Sequence, residues 1–143
     1  MRMLSGALIA GLIVGVSYAA AQAPLTSADY PAKMKAVAQT NQALQMKLKN
    51  HQVAEAVADA KALAAHFVDI ERFWKANNKA DAVTWSQNAQ QGFNDAATAA
   101  AAGDGMKALM AAGNALANCK QCHGMYREGN PQEGYKFKAG TLP

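Results

Sequence analysis

Cysteine is nearly absent from this chain, with only Cys119 and Cys122 among 143 residues. Two thiols cannot build a disulfide framework. With no second cysteine pair, a four-ligand structural zinc site would have to draw on His51 and His66 as further imidazoles. Strand-type alternation is missing, so nothing reads as a strand, and the βαβ setting in which a disulfide oxidoreductase carries Cys-x-x-Cys is missing with it. Charge of one sign is weak as well. Beyond residue 21 there are 13 basic and 10 acidic side chains, a net +3 that is too mild to argue for nucleic acid. Large apolar residues cluster in one long run only, residues 4–16, next to Arg2.

That run defines the N-terminus. Arg2, the apolar stretch and the small residues Ala19-Ala20-Ala21 form the three parts of a secretory signal, so residues 1–21 are expected to be cleaved and the mature chain to start at Gln22. The small-residue end and the absence of a positive flank after the run argue against stable membrane insertion. No cysteine lies near the cut and no twin arginine precedes it, which excludes a lipoprotein anchor and that alternative export signal. The expected location is periplasmic, and the 122 residues after position 21 suffice for one domain.

Hydrophobic spacing then predicts four helices. The first spans about 28–48 with the seam Tyr30, Met34, Val37, Asn41, Leu44, Leu48, and Asn50-His51 breaks it. The second carries Val53, Ala56, Ala60, Leu63, Phe67, Ile70 and Trp74 up to Asn77-Asn78. The third starts near Asp81 and runs to Gly103-Asp104-Gly105, which ends it and caps the fourth. The fourth carries Met106, Leu109, Gly113 and Leu116 and stops at Gly129-Asn130-Pro131. The expected fold is all-α, an antiparallel up-down-up-down four-helix bundle over 22–128, followed by a C-terminal tail, 129–143.

The two cysteines sit in Cys119-Lys120-Gln121-Cys122-His123, the attachment signature of a c-type haem. Each thiol can make a thioether with a haem vinyl group, and His123 reaches the iron from one side. Helical spacing of three and four brings the groups to neighbouring positions. Three-residue spacing on a continuous helix suits a plain disulfide poorly. In an antiparallel bundle the end of the fourth helix is level with the start of the first. Met34 is therefore the expected distal ligand, whereas Met46 lies about 18 Å farther along the axis at 1.5 Å per residue. Met106 and Met110 belong to the opposite end. His66 stands off its seam, and His51 is in a distant turn.

The bundle, the C-terminal motif and its continuation Tyr126-Arg127 resemble the class II c-type cytochromes, the cytochrome c′ family. The resemblance covers about Tyr30 to Glu128. It implies one covalent haem c, with His123 as proximal ligand and Met34-Lys35 in the place of the distal pair of low-spin, electron-carrying members. It implies a one-electron carrier without enzymatic activity, served by periplasmic redox partner proteins, with a homodimer as one possible assembly. The alternative within the family is a five-coordinate member that binds NO or CO. Tyr126 can pack beside the proximal imidazole, and Arg72 and Arg127 lie near the haem level as propionate partners or as plain exposed arginines. Lys120, Lys136 and Lys138 are by default a solvated face, with a basic docking rim as the alternative.

Overall fold

The computed structural model describes residues 23–143, so the signal segment expected at 1–21 lies outside the described residues. Four antiparallel helices follow: α1 (Tyr30–Lys49), α2 (Val53–Ala76), α3 (Ala80–Ala101) and α4 (Gly105–Tyr126). Each packs on the next in sequence, which is the expected up-down-up-down bundle. The turns are where sequence punctuation put them. His51 and Asn78 take the left-handed conformation at φ 59° and 55°, and Gly103 does so at 78°, the residue type best suited to end a helix that way. Asp104 caps α4 by accepting a hydrogen bond from the Lys107 amide at 2.9 Å.

The core follows the seams in α1, α2 and α3, but α4 turns Ala108, Ala112 and Ala115 inward where it packs closely on α3, and leaves Met106 and Gly113 of its expected seam exposed. Leu44 and Leu48 of α1 meet Ala56, Ala60, Leu63, Phe67, Ile70, Phe73 and Trp74 of α2, then Ala82, Ala89, Phe93 and Ala96 of α3. Alanine-rich faces let the helices approach closely. At Gly92 a β-carbon would come within 2.9 Å of the Ala115 β-carbon, so α3 and α4 touch there at a spacing only glycine permits. Ion pairs join α1 to α2 at both ends, Lys33–Asp69 at 2.8 Å and Lys47–Asp59 at 2.7 Å. Being partly exposed, each contributes up to about 1 kcal/mol.

The tail departs from expectation. No strand was anticipated, yet β1 (Arg127–Asn130) pairs antiparallel with β2 (Gly134–Phe137). Gly129 makes this hairpin possible. Its φ is +94°, and a β-carbon there would overlap the Gly134 carbonyl oxygen. Four-residue strands are too short to show alternation, and the hairpin is held by a distant anchor. Phe137 packs on Tyr30, Phe73 and Trp74 with ring centroids 5.0, 5.8 and 5.7 Å away.

Candidate functional site

Cross-helix contacts fix the levels in the bundle. Between α3 and α4 they are Asp81 with Tyr126, Asn88 with Asn118, and Gly92 with Ala115. Glu71 meets Gln87 and Phe67 stacks on Phe93 between α2 and α3, and Lys33 meets Asp69 between α1 and α2. Followed from helix to helix, these pairs put Cys122 and His123 level with Tyr30, Trp74 and Trp85, and Cys119 level with Met34 and Ile70. Met34 thus lies about 6 Å, one turn at 1.5 Å per residue, farther into the bundle than His123, and Tyr30 occupies the level first expected for it. Phe67 is displaced too, belonging with Phe93 in mid-bundle rather than at the motif end.

Around the motif the walls are apolar and aromatic. Trp74 is 1 % exposed and its indole N–H donates to the Tyr30 hydroxyl at 3.1 Å. Tyr126 lies against Trp74 at 4.9 Å and Trp85 at 6.3 Å, and its hydroxyl donates to Asp81 at 2.6 Å. These residues close the end of the bundle, but not the side between α1 and α4. α4 buries Ala108, Ala112 and Ala115 and no residue after them, and α1 scarcely touches α4. Cys119, Cys122 and His123 are half-buried on that stretch, with the two sulfurs packed against the core and unbridged. Met34 also packs against the core from α1 and is half-buried.

Electrostatics follow from this half-burial. Burial pushes the Cys119 thiol up to about 11, and burial, then Cys119 and Asp81, push Cys122 up to about 12. Burial followed by the Arg127 charge lowers the pKa of His123, so its imidazole is neutral at pH 7 with a nitrogen lone pair free to bind a metal. Thiols held this way react slowly. In the folded haem-free chain, alkylation by iodoacetamide at pH 8 is expected to run about a hundredfold slower than in urea, because the thiolate is the nucleophile. Equal rates in both states would contradict the burial of the two sulfurs.

Among the described residues no three His, Cys, Asp or Glu side chains converge as a direct metal centre. Two thiols, one imidazole and an apolar wall beside a loosely joined helix pair are the groups that would hold a covalent haem.

The other expected residues are accounted for differently. Tyr126 is held by Trp74, Trp85 and Asp81. The Arg127 guanidinium lies 3.9 Å over the Tyr135 ring, and Arg72 is exposed beside Asp69 at 3.8 Å. Lys136 pairs with Glu128, and Lys138 turns back onto α4. His66 stands two turns of α2 away from the motif level. Its pKa is lowered by burial, then by Lys33, against a partial offset from Asp69. The unfolded chain therefore binds the proton more readily. Stability from His66 is complete above about pH 6.5 and falls as pH drops through its lower native value. His66→Gln is expected to flatten urea midpoints across that window, and an unchanged pH slope would refute the assignment.

Sequence reasoning missed Tyr30 as the residue level with His123, as well as the Asp81–Tyr126 bond and Phe137. Comparison with family models, with curated proteins and with solved structures finds no match to this chain.

Proposed function

We propose that the protein is a periplasmic monohaem c-type cytochrome that carries single electrons. The observation that carries this reading is the set of two unbridged thiols and one imidazole, Cys119, Cys122 and His123, half-covered on an apolar wall at the loose α1–α4 side. When bound, the haem supplies the one-electron iron couple, and the chain supplies binding, orientation and exclusion of water. Cys119 and Cys122 hold it covalently. His123 would take the proximal position, beside the aromatic layer of Phe73, Trp74, Trp85 and Tyr126.

Met34 fits the distal position through helix geometry. Each Cα–Cβ bond tilts toward its own helix N-terminus. In antiparallel α1 and α4, Met34 therefore leans outward and His123 inward, which narrows the one-turn offset between them. A thioether ligand raises the potential relative to a second imidazole. A sixth ligand also leaves no open site for chemistry at the iron, so the reading is a carrier and not an enzyme. The partners are periplasmic redox proteins. No helix of the described residues is long and apolar enough to cross a membrane.

One observation favours a second reading. Tyr30, whose buried hydroxyl is engaged by the Trp74 indole, is level with His123, and if Met34 stays in the core the iron would be five-coordinate and open to NO or CO. The ferric visible spectrum separates the two. A low-spin spectrum with a methionine-to-iron charge-transfer band, lost in Met34→Ala, is the expected result. A high-spin parent spectrum would sink Met34 as ligand and leave the gas-binding reading.

A further inference from the structure

The end of α4 is held from two sides by residues remote from the motif. A helix leaves its last four carbonyls without intrahelical partners, and here three of them are taken. The His123 carbonyl accepts from the Arg127 amide. The Tyr126 carbonyl accepts from the Lys138 amide at 2.9 Å, and the Gly124 carbonyl accepts from the Lys138 ammonium at 2.7 Å. The Lys138 charge also sits at the negative end of the α4 dipole. The hairpin brings Lys138 there, anchored by its neighbour Phe137 in the ring cluster of Tyr30, Phe73 and Trp74. On the opposite side the Tyr126 hydroxyl is bonded at 2.6 Å to Asp81 of α3, whose carboxylate is itself fixed by the Ala82 amide at 2.8 Å.

We propose that Lys138 and Asp81 are positioning residues for His123. Together they clamp the last turn of α4 and set how the imidazole presents its nitrogen. The proposal rests on the haem reading above, since the group being positioned is the proximal ligand. A helix end frays when nothing ties it down. A frayed last turn would let the ring swing and weaken its bond to iron. Partners hydrogen-bonded to a ligating histidine change binding ~10-fold or more when lost, and this clamp acts one step farther out, through the α4 backbone.

The test uses the purified full-length holoprotein and three small changes. Lys138→Met keeps the stem and the backbone hydrogen bond but removes the ammonium. Tyr126→Phe removes only the hydroxyl that Asp81 holds. Lys138→Arg restores the charge. Lys75→Met, at an exposed α2 position, controls for net charge. The readouts are the reduction potential and the affinity of the ferric iron for added imidazole, both measurable whether the iron starts with five or six ligands. Lys138→Met and Tyr126→Phe are each expected to shift the potential and to change imidazole affinity ~10-fold. Lys138→Arg and Lys75→Met are expected to match the parent. Variants that only melt earlier, with parental potential and imidazole affinity, would overturn the clamp while leaving the haem reading intact. A parent protein without covalent haem on a denaturing gel would overturn both.

Discussion

The double variant Cys119→Ala/Cys122→Ala is expected to lose covalent haem completely. Thioether bonds survive denaturation, so a haem-stained denaturing gel should show a band for the parent and none for the double variant. Each single variant should keep a band through its remaining sulfur. The sequence holds only these two thiols, and they are unbridged, so no third thiol can rescue attachment. A haem band in the double variant, or its absence from the parent, would refute the thioether assignment. His123 stays in place in this variant and can still hold iron without a covalent bond. A native gel stained for haem distinguishes that loose association from the thioether.

Trp74→Ala is expected to cost about 3–5 kcal/mol, the range for removing a buried large aromatic side chain. Domains of this size are stable by only about 5–15 kcal/mol, so the variant should be marginal. Trp74 touches Tyr30, Phe73, Tyr126 and Phe137 and thereby links α1, α2, α4 and the hairpin. Deleting it opens a cavity at the point where four elements meet. Trp74→Phe keeps most of the packing but removes the N–H that Tyr30 accepts, and about 1–2 kcal/mol is expected for the buried hydroxyl left without its partner. Urea denaturation measures both. A cost below about 1 kcal/mol for the alanine variant would show that the aromatic layer does not hold the bundle end together.

Much of the fold could be read from local pattern. Seam residues such as Leu44, Leu63, Phe67 and Ile70 repeat at helical spacing and are buried as expected. Asn78 and Gly103 mark turns through their own backbone preferences, and Asp104 marks a cap through its side chain. The Cys-x-x-Cys-His motif on which the haem proposal rests lies within five consecutive residues, Cys119 to His123. What stayed hidden depends on partners far apart in sequence. Tyr126 meets Asp81 across 45 positions and Trp74 meets Tyr30 across 44. The hairpin is decided by where Phe137 finds its ring cluster, not by any alternation in β1 or β2. The one-turn offset of Met34 accumulates over three turns, whose geometry no seam encodes.

The burial that keeps the Cys119 and Cys122 sulfurs protonated has a consequence for the order of biosynthesis. A sulfur that must act as a thiolate is a poor nucleophile once α4 has docked. If haem is attached as proposed, the thiols would react more readily in the still open chain than after the bundle closes. Assembly then has a direction. On that reading the chain would take up its haem first and fold around it second, and a molecule that folds too early would keep two unreacted thiols.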